Sequence, residues 1–349
     1  MNHKQVSTAL QVKEVDSDIF RVRLPLPFAL NHVNAYLLRG TDGWDILDTG
    51  LHTSEGEQAW EEVFRILLIQ PAHVRTIRVT HAHPDHLGMA GWLQQRSGGH
   101  PDVVMSEQTH AYAVYIWVQP QDWEQAMEVY LRRIGATMEI REQLLQNMQR
   151  MRERVRPFPE RVRIVHPYTT ARMGDAFYRL LPAPGHSDDQ IVYYQPERNI
   201  LFVGDQVLLH ITPNIGLWPG SKPGVLRRYL QSLQRLRRLP VQKAFPGHYG
   251  TIRQFEKRIE ELLMHHQQRL KEMCLAVAEG ASTVLEVAQK VFSFARFTSH
   301  EVRFALAETF AHLEHLVEEG LLERQEVDGV WRYHSCRLSQ APPSTDGLT

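Results

Sequence analysis

Thr80-His81-Ala82-His83-Pro84-Asp85-His86 packs three imidazoles and a carboxylate into the six positions from His81 to His86. The preceding run, Val74 to Thr80 (VRTIRVT), reads as a buried strand. His81 and His83 therefore leave its end in extended geometry, where alternate side chains point the same way and both rings can reach one ion. Pro84 steers His83 away from helix and fixes its own φ, so Asp85 and His86 open the next helix from a new direction and can face a second ion. Taken alone, the stretch also admits a plainer reading, with Asp85 as a helix cap and the histidines as polar loop residues.

Further along, three short motifs recur in order: Pro184-Gly185-His186-Ser187, Leu201-Phe202-Val203-Gly204-Asp205 and Phe245-Pro246-Gly247-His248. Upstream lies Trp44-Asp45-Ile46-Leu47-Asp48-Thr49-Gly50. A lone Gly-His or Gly-Asp is commonly a plain turn. In this order, together with His81-x-His83-x-Asp85-His86, they make residues 18 to 255 resemble the metallo-β-lactamase-fold hydrolases.

That resemblance implies an α/β fold, an αββα sandwich with the metals at one edge of two facing sheets. It implies that His81, His83 and His186 hold one metal, that Asp85, His86 and His248 hold a second, and that Asp205 bridges them. Asp48 would sit beneath these ligands and orient them. Two divalent ions roughly 3.5 to 4 Å apart lower the pKa of a water between them, giving a bridging hydroxide as nucleophile. Asp85 would be the catalytic residue that passes a proton to the leaving group. Zinc suits this donor set, with manganese or iron as substitutes.

Two departures from the family pattern matter. At the third-ligand turn the chain reads Gly185-His186-Ser187-Asp188-Asp189-Gln190 where many members have Gly-His-Thr-Pro-Gly, and the extra carboxylates are expected to face solvent. Gly247-His248-Tyr249-Gly250 carries a tyrosine in a turn that is often Gly-His-Gly, which makes Tyr249 a candidate substrate contact. The Pro- and Gly-rich loop after Asp205 adds His210, Asn214 and Trp218 as candidates, with a merely connecting loop as the alternative.

Composition bounds the class. With 349 residues, 43% hydrophobic and 23% charged, the chain is long enough for two domains, and no apolar run reaches the roughly 18 residues of a membrane span. MNHKQVSTALQVKEVDSD lacks a signal-peptide apolar region, so a cytoplasmic location is expected. Cys274 and Cys336 are remote from the motifs, which leaves nitrogen and oxygen donors for metal. A net charge of −1 gives no global pull toward nucleic acid. The arginine runs around 150–163 and 222–243 read as solvated helix faces.

Strands are expected at Asp18–Pro25, Val33–Arg39 and Trp44–Asp48, then a helix over Ser54–Ile69 with Ser54 as cap and Glu57 completing a capping box. The hydrolase domain is expected over 1–264. Within it, residues 107–160 read as a helical insertion whose Tyr112, Tyr115, Trp117, Trp123, Met127 and Tyr130 form an apolar face needing cover. A lid over the site, a homodimer surface and simple packing on the core are all open. Residues 265–340 read as a small winged-helix-like domain, with helices at Thr283–Phe292 and His300–Glu319 and a hairpin turned at Asp328-Gly329, and 341–349 as a disordered tail. Glu301, Glu308, Glu314, Glu318 and Glu319 against the single Arg303 disfavour DNA reading by the second helix.

Three functions follow. One is a dinuclear metal-dependent hydrolase of a small carbonyl substrate such as a thioester, ester or lactone. The others are a nuclease acting on RNA or DNA, and a non-catalytic or redox metal-binding protein. Neutral charge and a coverable pocket favour the first.

Overall fold

A computed structural model describes residues 11–28, 30–294 and 297–335. The expected disordered tail at 341–349 and Cys336 lie outside the described residues. Seven strands form the first sheet in the order β1 (Gln11–Asp16), β2 (Ile19–Pro25), β3 (His32–Gly40), β4 (Gly43–Leu47), β5 (Val74–Arg78), β6 (Asp102–Ser106) and β7 (Val162–Val165). The second sheet runs β12 (Lys243–Pro246), β11 (Ile200–Gly204), β10 (Ile191–Gln195), β9 (Ala176–Pro182) and β8 (Thr170–Met173).

Strand alternation explains why the two sheets face each other. Along β3, Tyr36 and Leu38 point into a core shared with Tyr193, Phe202 and Phe245 of the second sheet, while Val33, Ala35 and Leu37 point to the opposite side. That outer side is covered by Trp60 and Val63 of α1 (Ser54–Ile66) and Leu93 of α3 (Ala90–Arg96). On the second sheet Ile200 and Phe202 face inward, and Leu201 and Val203 face outward onto α7 (Val225–Arg237) and the start of α8 (Phe255–Ala278). The result is a helix–sheet–sheet–helix sandwich.

Parallel pairing positions the site. β4 and β5 run parallel, with Leu47 opposite Arg78, and β11 and β12 run parallel, with Gly204 opposite Pro246. Four carboxyl-terminal strand ends thus come to one edge of the sandwich, and each is followed by a motif residue: Asp48, His81, Asp205 and His248. The two sheets are tied there by Ile191 N–H donating to Thr80 O (3.0 Å), Asn34 Nδ2 donating to Pro246 O (2.9 Å) and the Tyr36 hydroxyl donating to the same carbonyl (2.8 Å).

Several local expectations are corrected. The cap of α1 is Thr53, whose hydroxyl accepts from Gly56 N–H at 2.9 Å, rather than Ser54. Glu57 turns to His52 instead of closing a capping box. The helix expected to open at Asp85 and His86 is split into α2 (Pro84–Leu87) and α3, and the edge strands β1 and β8 are not among the expected ones.

The 107–160 segment folds as α4 (Glu107–Ala113), a π-turn over Val114–Val118, α5 (Gln121–Arg133) and α6 (Met138–Arg152). Its apolar face is covered by the chain's own C-terminal part: α9 (Val284–Val291), α10 (Ser299–Glu318) and the hairpin β13 (Leu322–Val327) and β14 (Val330–Ser335). Tyr130 meets Phe310 edge-on at 5.6 Å, Phe310 stacks on Trp331 at 4.9 Å, and Leu285 N–H donates to Ile134 O at 3.2 Å. A dimer surface built on that face would have to displace these contacts. Most of the arginine run is solvated as expected, but Arg152 is buried, paired with Glu124 and donating to Ile116 O. α8 runs unbroken past the boundary expected at 264. Among the described residues no helix is long and apolar enough to cross a membrane.

Candidate metal centre

Five imidazoles and two carboxylates converge at the sandwich edge. His83 Nδ1 lies 3.0 Å from His81 Nε2 and 3.0 Å from His186 Nε2, forming one trio. Asp85, His86 and His248 form another, with His248 Nε2 3.4 Å and His86 Nε2 3.9 Å from Asp85 Oδ2. Asp205 stands between them: its Oδ2 is 3.6 Å from His186 Nε2 and 3.3 Å from His248 Nε2, and its Oδ1 is 3.4 Å from His86 Nε2. These spacings are close to the ~3.3 Å that separates donors on a tetrahedral ion with bonds of about 2.0–2.1 Å.

The ring nitrogens that face away from the cluster are tethered. His248 Nδ1 is 2.8 Å from His32 O and His186 Nδ1 is 2.9 Å from Asn214 O. A carbonyl only accepts, so each of these rings keeps a proton on Nδ1 and turns Nε2 inward, where a bound cation would take its lone pair. His86 Nδ1 lies 2.8 Å from Asp48 Oδ2, and His81 Nδ1 lies 2.9 Å from the Thr80 hydroxyl. Asp48 also accepts from Thr80 N–H at 2.8 Å and from the Thr80 hydroxyl at 2.9 Å. It reaches both from a left-handed backbone conformation at φ 59°. Thr49 completes the cradle, its hydroxyl donating to His86 O at 2.7 Å.

Electrostatics fit a cation. Burial, reinforced by neighbouring imidazoles, holds His81 well below the usual histidine range, and burial takes His83 down to about 3. Burial also disfavours charge on His248, yet Asp205 and Asp85 override it and raise the ring to about 10. His86 is raised in the same way by Asp205, Asp48 and Asp85. Asp85 and Asp205 resist the upward push of burial and stay well below the carboxylate range because His86 and His248 face them. His86 Nε2 and Asp205 Oδ1 are buried without any hydrogen-bond partner, an arrangement costing about 1–3 kcal/mol per group unless something charged lies between them. A divalent ion meets that demand, and the residues present fit one.

The other candidates fall at or behind the rim. Tyr249 (φ 66°) donates its N–H to His32 Nε2 at 3.2 Å, and exposed His210 meets its ring edge-on at 5.3 Å, so both stand beside His248. Asn214 and Trp218 turn toward the C-terminal part. Asn214 donates to Phe304 O at 3.1 Å, and the Arg303 guanidinium lies over the Trp218 ring at 5.4 Å. Asp188 and Asp189 do not face open solvent as expected. Asp188 pairs with Arg228 and accepts from Lys222 N–H at 2.7 Å. Asp189 is buried, takes the Ser187 hydroxyl, and is pushed up to about 6 by burial. Three contacts have no local signal in the sequence: His32 O, Trp117 Nε1 donating to Ala82 O at 2.9 Å, and Phe28 stacked on His300 at 5.1 Å across the rim.

The family model described as the metallo-beta-lactamase superfamily matches residues 29–248, from the β2–β3 loop to the last of these histidines. The chain belongs to the metallo-beta-lactamase superfamily. A second model, the metallo-beta-lactamase-like C-terminal domain, matches 270–336. This superfamily member is 23% identical over 337 residues to the probable metallo-hydrolase YqjP of Bacillus subtilis, covering 90% of this chain and 97% of that one. It is 23% identical over 281 residues to the atrochrysone carboxyl ACP thioesterase of Aspergillus fumigatus, covering 77% and 70%. The crystal structure of a metallo-beta-lactamase family protein from Thermus thermophilus superposes with a TM-score of 0.82 at 31% identity, covering 92% of this chain and all (100%) of that one. A beta-lactamase domain protein from Burkholderia ambifaria gives 0.83 at 28% identity, covering 93% and 94%. The chain is a hydrolase of this superfamily.

Proposed function

We propose that this hydrolase cleaves a small carbonyl substrate, a thioester, ester or lactone, with two divalent cations, zinc first among them. The observation that carries the reading is Asp205, which sits between two trios of donors and within 3.6 Å of a nitrogen from each. His81, His83 and His186 would hold one ion, Asp85, His86 and His248 the other, and Asp205 both. When bound, such a pair supplies Lewis acidity and lowers the pKa of water toward neutrality.

The chain's own groups do the rest. Asp85 would carry a proton from the attacking water to the leaving atom on a carboxylate oxygen that the ion leaves free. The tethered imidazoles hold their lone pairs in place, so no reorganisation is needed during the reaction. Tyr249 and His210, on the His248 side of the centre, would touch substrate.

Small substrates are preferred over nucleic acid because α10 packs against α6, α7, α8 and α9 and is not free to enter a groove. The fungal thioesterase relative points the same way. Metal analysis followed by a panel of thioester, lactone, phosphodiester and RNA substrates tests the reading. Thioester, ester or lactone turnover that vanishes in His83→Ala is expected. Turnover only on RNA, falling steeply with salt, would move the assignment to a nuclease.

A further inference from the structure

Of the tethered imidazoles, His186 is held in the least self-sufficient way. His86 and His81 lean on Asp48 and Thr80 at the ends of core strands, and His248 leans on His32 at the start of β3. His186 lies on the loop between β9 and β10, and its Nδ1–H goes to Asn214 O, itself on the irregular loop between β11 and α7. Two loops bonded to each other fix nothing unless one is anchored. The anchor is the Asn214 side chain, whose Nδ2 donates to Phe304 O at 3.1 Å and to Glu308 Oε2 at 3.4 Å, both on α10. An amide nitrogen has two protons, and both are taken.

The α10 side of this link is itself built in. Glu308 is only 8% exposed, an unusual place for a carboxyl that served no partner. Its Oε1 lies 3.8 Å from Arg269 Nε of α8. One turn on, His312 Nδ1 approaches Glu308 O at 2.7 Å, and His312 Nε2 lies 3.0 Å from His266 Nδ1, again on α8. A second bond ties the same loop to the same helix, Leu217 N–H to Ala307 O at 3.2 Å.

We infer that the C-terminal helix α10 is part of the metal centre, holding the ligand His186 in place through Asn214, with Asn214 and Glu308 as positioning residues. The inference rests on the reading that the centre binds metal. Partners that orient a ligating imidazole typically contribute 10- to 100-fold to metal affinity.

The test uses the full-length chain and variants Asn214→Asp, Glu308→Ala and Glu308→Gln. Asn214→Asp keeps the shape and removes both donors, and Glu308→Gln keeps an acceptor for Asn214. Zinc and cobalt(II) affinities are measured by competition with a chromophoric chelator. In the metal-free proteins, histidine ¹⁵N shifts report the His186 tautomer, and far-UV circular dichroism reports the fold. The expected result is a loss of about 10- to 100-fold in affinity for one ion in Asn214→Asp and Glu308→Ala, with Glu308→Gln within about threefold of the parent. His186 should pass from a single Nδ1–H tautomer to a mixture in the first two. Parental affinity and a single tautomer in Asn214→Asp would overturn the inference. If that variant does not fold, the Glu308→Ala and Glu308→Gln pair decides, and equal behaviour of the two overturns it. A parent chain that takes up no ion would sink the functional reading as well, whereas intact affinity in the variants sinks only the link to α10.

Discussion

Asp48 Oδ2 lies 2.8 Å from His86 Nδ1, and the same carboxylate takes both the N–H and the hydroxyl of Thr80, the residue before His81. One buried side chain therefore braces a residue from each of the two donor groups. Asp48→Ala leaves the Thr80 N–H and His86 Nδ1 buried without a partner, each worth about 1–3 kcal/mol when left unpaired. The expected outcome is a lower melting temperature and a metal content reduced under chelator challenge, read by calorimetry and elemental analysis. Unchanged metal retention would show that His81 and His86 are held without it.

Removing the ions should destabilise the fold as well as stop turnover. A ligand present at 100 times its Kd stabilises the native state by about 2.7 kcal/mol. Chelation is thus expected to lower the melting temperature, and added zinc or manganese to restore both stability and hydrolysis. A thermogram indifferent to chelator would contradict a centre loaded at its working concentration.

Gly247 leaves no room for a side chain. A Cβ there would run into Asp205 Oδ1 and lie 2.6 Å from His86 Cε1. Gly247→Ala should push Asp205 out of its place between the two trios and cut hydrolysis on the order of 100-fold or more, as loss of a preorganised electrostatic group does. Kinetics on the best substrate of the panel check this, with Gly250→Ala, whose nearest neighbour is a Leu209 methyl at 3.5 Å, as the mild control.

Burial pushes Glu308 up to about 7, with Arg269 and Asn214 only partly offsetting it. Its unfolded value is the ordinary carboxylate one, so between the two the folded state binds more protons than the unfolded state. Stability from this group is therefore full below the unfolded value and is lost as pH rises through about 7. Glu308→Gln removes that loss. Relative to the parent, the variant should gain on the order of 2–3 kcal/mol between pH 5 and pH 8 in urea unfolding of the metal-free proteins. A constant difference across that range would mean Glu308 is ionised throughout.

The seven donor residues are legible in the sequence because their chemistry leaves few substitutes and because each follows a strand end or a Gly-rich turn. The sandwich is legible for a related reason: β3, β10 and β11 carry apolar residues on both faces, as strands covered on both sides must. Edge strands β1 and β8 escape notice because QVKEVD and TARM are short or charged and bury little. Asp189 is misread because aspartate is mostly exposed, and nothing nearby in the chain announces that Ser106 and Thr109 donate to its carbonyl. Asn214 reads as a possible substrate contact, since its true partners, Phe304 and Glu308, lie about ninety positions away and bear no local mark.

α8 begins with Phe255 and Ile259 wedged under the second sheet and ends with Met273 and Val277 among the C-terminal helices. A single rod of 24 residues, about 36 Å long, spans both halves of the molecule without a joint. Swinging the halves apart would mean kinking this rod, at the expense of its backbone hydrogen bonds.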